Sequence, residues 1–221
     1  ATFGTTFRSG SNYFQYLTSH AAEQYLSNGG PLTVVRVSDA TAATAPVFQS
    51  GSATTSLTFE TIGDGVIYNN SASHGDGAEG TNNVLPSGSS DNYRIEISGL
   101  NTSRGTFNVL VRSGNDTLKR KNVLESFNNV SLDPNSNNFI SKIIGNQDLT
   151  IQDSGTTEPY VKPDGEFPTK SKYIRVKTVH QPTPNYLDEN GAITDSSLTA
   201  YLPGPSSASF TGGGAGVSSF T

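Results

Sequence analysis

The clearest hydrophobic pattern in the chain is an alternation in its middle third. Tyr93, Ile95 and Ile97 are each separated by one polar residue, which is the period of a strand with one buried face. Residues 106–112 follow after a glycine-containing turn, and residues 118–127 follow a second turn. The sequence therefore predicts three strands joined as an antiparallel hairpin or meander.

The first of two helical patterns covers residues 12–28. Ser11 can cap its start, and Gly29-Gly30 can end it. Its apolar stripe consists of Phe14, Leu17, Ala21 and Tyr25. The β-branched run at residues 32–37 (LTVVRV) follows Pro31, so a buried strand is predicted directly after the helix.

A second, shorter helix is predicted after Pro134. Asn135 or Ser136 can cap its start, and Gly145 can end it. Its apolar residues are Phe139, Ile140, Ile143 and Ile144. Their spacing of one and four residues places all four on one side of the helix, which therefore packs on a core.

The remaining strands are short, and glycine- or proline-containing segments separate them. They are predicted at residues 56–60, 66–68, 149–151 and 173–179, with a weak one at 198–202. Residues 63–65 are predicted to form a turn, 69–90 a long surface loop and 155–168 a second loop. The fold class is therefore α+β: a β-rich mixed or antiparallel sheet, two short amphipathic helices and a β-rich loop insertion.

Composition narrows the function classes. The chain has 221 residues, of which 33% are hydrophobic and 15% charged, and its net charge is -5. A negative net charge argues against a nucleic-acid partner. The absence of Cys excludes disulfides and thiolate metal sites. No apolar run approaches the roughly 20 residues that cross a bilayer, and the absence of Met favours a fragment of a longer chain.

Candidate catalytic and metal-binding groups do not converge in the sequence. His20, His74 and His180 lie far apart and have no metal-ligand spacing. The carboxylates Asp64, Asp76 and Glu79 lie among glycines but lack the ladder of oxygens that Ca²⁺ requires. Neither a nucleophile elbow nor a phosphate-binding loop is present. We therefore expect no catalytic, cofactor-binding or metal-binding residues, and no enzymatic activity.

The only dense positive run is Lys119-Arg120-Lys121. One interpretation is a solvated strand or turn. The alternative is that these cations pair with an acidic patch on a neighbouring subunit. The sequence leaves both open.

Three segments together resemble the sheath proteins of contractile bacteriophage tails. The first combines Phe3-Gly4 with residues 25–37 (YLSNGGPLTVVRV), and the second is residues 77–85 (GAEGTNNVL) leading to the strand at Tyr93. The third, within residues 107–146, contains VLESFNNVSLDPNSNN, which resembles the family motif V-x-E-x-F-x-N-x-S-L-D-P-x-S-x-N before a helix. The second segment departs from the family because its usual Trp is missing and Thr81 separates Gly80 from its Asn.

This resemblance implies a division of the chain. Residues 1–37 and 80–190 would form a sheath-like body, residues 38–79 a variable β-rich insertion, and residues 191–221 a Gly/Pro/Ser-rich linker towards a missing C-terminal domain. The family's exchange of an N-terminal arm and C-terminal strands between neighbours is a form of β-augmentation. The resemblance implies that both elements lie outside this chain.

The function implied by the resemblance is structural. Such a subunit stacks helically around a tail tube and then contracts, driving the tube through the host envelope. Its partners would be further copies of itself, the tube protein, and baseplate and tail terminator proteins, without nucleic acid or membrane insertion. The subunit would assemble in the host cytoplasm and reside in the virion. The alternative is a β-rich surface adhesin or a phage receptor-binding module.

Overall fold

In the computed structural model, residues 7–9, 12–14, 17–33, 41–65, 68–69, 92–114, 116–153, 155 and 158–214 are described. Their strands are β1 (Phe7–Ser9), β2 (Asn12–Phe14), β3 (Ala42–Phe48), β4 (Thr55–Asp64), β5 (Tyr93–Asn101), β6 (Thr106–Ser113), β7 (Val123–Ser131), β8 (Asp148–Gln152), β9 (Tyr160–Asp164), β10 (Ile174–Val179) and β11 (Ser206–Ser209). Their helices are α1 (Leu17–Ser27), α2 (Ile140–Ile144) and a 3-10 helix (Ser196–Tyr201).

The strands form two larger sheets and two hairpins. One sheet has the order β10-β4-β3, the other has the order β11-β5-β6-β7, and β1–β2 and β8–β9 are two-stranded. All of these pairings are antiparallel. The prediction of a β-rich, largely antiparallel fold with few short helices is therefore confirmed, and the β5–β6–β7 meander is present as predicted.

The two larger sheets enclose one hydrophobic core. In β3 and in the first half of β5, alternate residues are buried in it, as the period-two pattern requires. The core includes Ala43, Ala45, Val47, Leu57 and Phe59 from one sheet, Ile95, Ile97, Phe107, Val109 and Val111 from the other, and Ile140 and Ile144 from α2. The predicted inward face of β5 and the packing of the second helix are thus confirmed.

Within the segment predicted as a linker, residues 203–214 pack against both larger sheets. β11 pairs with β5, while Pro203, Thr211 and Gly214 form bridges to the region of β3. Phe210 is completely buried between them. A Cβ on Gly213 would lie 2.5 Å from the carbonyl oxygen of Gly65. Glycine is therefore required there for close backbone approach, and its presence does not indicate flexibility.

The region assigned to an insertion also contributes to the core. β3 and β4 lie within residues 38–79, and β4 is the central strand of its sheet. Gly63 and Asp64 belong to β4 and do not form the predicted turn. The sequence could not show this because the second partner of β4, β10, lies more than 100 residues away. The division into body, insertion and linker stays a prediction.

The N-terminal helix prediction was wrong at its start. Asn12–Phe14 is strand β2, paired with β1, and the helix begins at Leu17. The predicted stripe is not buried either, because Leu17, Ala21 and Tyr25 are exposed. Of the predicted strand 32–37, residues 34–37 lie outside the described part, and residues 32–33 form no strand.

Several boundaries also differ from the predictions. The third meander strand begins at Val123, since Thr117 and Arg120 close a tight turn with reciprocal backbone hydrogen bonds of 3.2 and 3.1 Å. The cap of α2 is Phe139, without a side-chain hydrogen bond, while Gly145 ends the helix as predicted. Residues 198–201 of the predicted strand 198–202 lie in the 3-10 helix, where Asp195 caps the start by accepting from the Ser197 backbone N–H. This hydrogen bond lowers the pKa of Asp195.

The remaining loop predictions are tested only in part. Residues 155–168 contain strand β9, so they are not simply a loop. Of the predicted strand 66–68 and loop 69–90, only Tyr68 and Asn69 are described.

A buried tyrosine fastens the loop after β10 to the β5–β6 turn. The Tyr186 ring lies against Gly105, where an added Cβ would meet Cδ1 of the ring at 2.5 Å. The Tyr186 hydroxyl donates a hydrogen bond to the Thr102 carbonyl, and its backbone N–H donates to Asp133. Burial raises the pKa of Tyr186 because the ionised phenolate is poorly solvated there.

We predict that Phe210→Ala destabilises the fold by about 3–5 kcal/mol, because it removes a fully buried aromatic ring. Phe48→Ala is the matched control, since Phe48 is 45% exposed and should cost much less. Urea denaturation of both variants measures the difference. If Phe210→Ala destabilised the fold no more than Phe48→Ala, the segment 203–214 would not be needed to complete the core.

We predict that the free energy of unfolding falls as the pH rises above about 10, the ordinary tyrosine pKa. Part of this decline should come from Tyr186. Its pKa is raised on folding, so its contribution is complete below the unfolded pKa and is lost as the pH rises through the folded pKa. Tyr186→Phe should flatten this decline and cost about 1 kcal/mol at pH 7 by losing a hydrogen bond. Urea denaturation at several alkaline pH values measures the decline, with Tyr160→Phe, at an exposed tyrosine, as the control. The prediction would be contradicted if the free energy of unfolding fell equally steeply with pH in Tyr186→Phe and in the unaltered chain.

Candidate functional site

The β8–β9 hairpin carries an apolar face exposed to solvent. In its register Leu149 lies opposite Pro163 and Ile151 lies opposite Val161, so these four side chains share one face. Leu149 is 69% exposed, Ile151 75% and Val161 59%. The other face carries mainly polar side chains, including Thr150. The hairpin therefore presents a continuous apolar surface that no described part of the chain covers.

Ion pairs attach the base of this hairpin to the three-stranded sheet. The Arg175 guanidinium of β10 lies 2.9 Å from an Asp148 carboxylate oxygen at the start of β8. It also pairs with Glu60 of β4 at 2.8 Å, and Lys177 reaches the second Glu60 oxygen at 2.8 Å. Asn146 further accepts a hydrogen bond from the Phe167 backbone N–H at 2.8 Å. The base is thus fixed, while the strands project from it.

An open cleft of about 1010 Å³ lies beside these ion pairs. Its lining includes Glu60, Asp64, Gln147, Asp148, Arg175 and Lys177. These carboxylate, amide and cationic groups can hydrogen-bond a polar ligand. Four of them already pair with one another, so a ligand would have to exchange or extend existing hydrogen bonds.

A buried arginine organises the loop between β6 and β7. Arg112 is 1% exposed and donates two hydrogen bonds to Asp116, at 2.7 and 2.8 Å, and one to Glu96 at 2.9 Å. Desolvation lowers the pKa of Arg112, but the hydrogen bonds and charges of Asp116 and Glu96 outweigh it and raise the pKa overall. Asp116 also accepts from the Asn122 backbone N–H at 3.0 Å. The network therefore fixes both ends of this loop.

The β6–β7 loop presents the basic run of the sequence. Leu118 is 76% exposed, and Lys119 and Arg120 are exposed beside it. Lys121 pairs with Glu96 at 2.6 Å, whereas Lys119 and Arg120 form no ion pair with any other described residue. Lys121 thus supports the loop itself, and the other two cations face solvent.

The residues considered for metal binding or catalysis are not brought together in the described part of the chain. His20 lies exposed on α1, and the His180 ring is within 3.0 Å of the Thr58 hydroxyl. His74, Asp76 and Glu79 lie outside the described residues. Among the described residues, no group of three His, Asp or Glu side chains could hold a metal ion.

Comparisons with known proteins add no relative. No family model, curated protein or solved structure matches the chain. In the described part of the chain, no helix is both long and apolar enough to span a membrane. The likeness to sheath proteins therefore rests on the segments of the sequence alone.

Sequence reasoning assigned no functional residues and missed the hairpin. Residues 149–151 were predicted as a strand, but 155–168 were interpreted as a loop because Pro159, Pro163 and Gly165 occur there. Proline is compatible with an edge strand, and β9 pairs with β8 alone. The adjacent aromatic and β-branched residues Tyr160 and Val161, which favour strands, were the available signal.

We predict that Arg112→Met destabilises the fold by about 3–5 kcal/mol, because it leaves two carboxylates without their main cation, one of them on fully buried Asp116. Lys121→Met removes the exposed cation of the same network and should cost less than about 1 kcal/mol. Thermal and urea denaturation measure both. If Arg112→Met destabilised the fold as little as Lys121→Met, the loop would not depend on Arg112.

Proposed function

We propose that the chain is part of a structural subunit of a contractile phage tail sheath. Such subunits stack helically around a tail tube and contract to drive it through the host envelope. The third resembling segment supports this best, since its motif VLESFNNVSLDPNSNN runs along β7 and precedes α2, the order that the family motif has. As part of this proposal, the chain has the α+β fold of a sheath body.

The observation that best supports a structural role is the exposed apolar face of the β8–β9 hairpin. This hairpin is attached at its base to the three-stranded sheet. Exposed apolar patches mark contact surfaces. Contraction of a sheath requires rigid bodies whose mutual contacts rearrange. The shared core supplies such a body, and the hairpin supplies a surface for contact.

The partners follow from this role. Copies of the same subunit would form the helix, the tube protein would lie inside it, and baseplate and tail terminator proteins would bind its ends. The subunit would assemble in the host cytoplasm and remain in the virion. No catalytic step is required, because the work comes from repacked interfaces.

A second candidate is a surface adhesin or a phage receptor-binding module. The cleft lined by Glu60, Asp148 and Arg175 favours it, since carboxylates and guanidinium groups bind polar ligands such as glycans. Glycan and cell-envelope screening separates the two functions. Selective binding that is weakened by Glu60→Gln would favour the module.

We predict that a full-length subunit containing this chain forms striated tubes that shorten and widen on triggering. Heterologous contacts that do not close into a ring generate such helices. Electron microscopy of purified particles in both states measures the change. Full-length subunits that remain dispersed under assembly conditions, or tubes of fixed length, would contradict the sheath function.

A further inference from the structure

The β8–β9 hairpin is an unusual element to leave unsupported. A two-stranded hairpin is at best marginally stable in water unless its apolar face packs on something. Here the face formed by Leu149, Ile151, Val161 and Pro163 is exposed. Only the base of the hairpin is attached to the rest of the described chain, through Asp148 and its neighbours. A partner that covers this face would therefore bury apolar area and stabilise the hairpin together.

The charges on this hairpin favour a basic partner. Asp153 and Glu158 lie at its outer end, and neither forms an ion pair with another described residue. Asp164 adds a carboxylate at the base, and Lys162 is the only cation in residues 148–164. The hairpin thus combines an apolar face with an excess of negative charge.

The β6–β7 loop carries the complementary features. Leu118 projects an apolar side chain into solvent between two turn residues, and Lys119 and Arg120 follow it with free cationic groups. The Arg112–Asp116 pair and the hydrogen bonds between Thr117 and Arg120 hold this loop in one shape. A preorganised loop loses less conformational entropy on binding.

We infer that the β8–β9 hairpin of one copy docks on the β6–β7 loop of a second copy. Leu118 contacts the apolar face of the hairpin, and Lys119 and Arg120 face Asp153 and Glu158. Charge complementarity selects this pairing of surfaces. The inference rests on the proposed function only in taking a second copy as the partner.

The two surfaces are different, so the contact is heterologous. Each copy that binds through its hairpin keeps its own loop free for another copy. Such a contact extends from copy to copy unless its rotation closes a ring. A contact of this kind supplies a directional link between successive subunits.

The first test reverses single charges and measures self-association of the chain by sedimentation at low and moderate salt. Arg120→Glu and Glu158→Arg should each raise the dissociation constant about tenfold at low salt, since each places like charges across the contact. Added salt should weaken the association of the unaltered chain. The double variant Arg120→Glu/Glu158→Arg should recover most of the affinity, because it restores opposite charges.

Matched controls carry the same charge changes on exposed loops elsewhere. Arg104→Glu lies in the β5–β6 turn, and Glu189→Arg lies in the loop after β10. Both should leave the dissociation constant within about twofold of the unaltered chain, as expected for charges outside a contact. This comparison separates a local contact from an effect of net charge.

The second test uses the absence of cysteine in the chain. A mixture of Leu118→Cys and Ile151→Cys variants should form a disulfide-linked heterodimer under mild oxidation. A mixture of Leu118→Cys and Ile193→Cys should form far less, since Ile193 lies in the loop after β10, is 37% exposed and takes no part in the proposed contact. Gel electrophoresis without reductant measures the yield.

Two results would overturn the inference. If the chain stays monomeric at all concentrations, the hairpin does not bind a second copy. The same result is expected if the hairpin packs within its own chain. Self-association that Arg120→Glu and Glu158→Arg affect no more than their controls shows that copies meet elsewhere. Either result leaves the sheath function to the tube-forming experiment, which does not depend on this contact.

Discussion

The backbone of residues 203–214 hydrogen-bonds to both large sheets, and this shared segment determines how they face each other. β11 pairs with β5, and on the other side Thr211 exchanges backbone hydrogen bonds of 2.8 and 2.9 Å with Thr44 of β3. Phe210 enters the core between the two sets of bonds. Without this segment, the edges of β3 and β5 would each lack a partner, and the core would open along that side.

At the opposite edges of the two sheets, β10 and β7 are joined to neighbouring segments by other hydrogen bonds. The Val176 backbone N–H of β10 donates to the Gly145 carbonyl at the end of α2 at 2.9 Å. On β7, the Glu125 carboxylate accepts from the Lys172 backbone N–H at 2.9 Å and from the Ser171 hydroxyl at 2.5 Å. Edge strands are prone to unwanted pairing, so covering them protects the body. The apolar surface that remains is concentrated on peripheral elements such as the β8–β9 hairpin.

Charged groups have two different roles in this body. Around Arg112 they are buried, bidentate and almost fully paired, so the β6–β7 loop is held rigidly. Around Arg175, whose side chain is only 10% exposed, they join the base of a projecting hairpin to the three-stranded sheet. The first arrangement presents a basic loop, and the second presents an apolar and acidic hairpin.

The sequence by itself determined the elements whose signal is local. The alternation at Tyr93, Ile95 and Ile97 predicted β5, and the spacing of Phe139, Ile140 and Ile144 predicted α2, because the period of the apolar residues indicates the type of element and its apolar face. The basic run was also visible, including its alternative as a contact surface. No residue pattern, however, placed the apolar hairpin or its register.

Only the tertiary structure decided which segments complete the core. The glycine-rich end resembles a linker in composition, yet Gly213 is required for close backbone approach, and Phe210 fills space created by strands far away in the chain. The stripe on α1 had the correct period, but no described element covers Leu17 or Tyr25. Burial depends on partners that are distant in sequence, and a local pattern contains no information about which partner arrives.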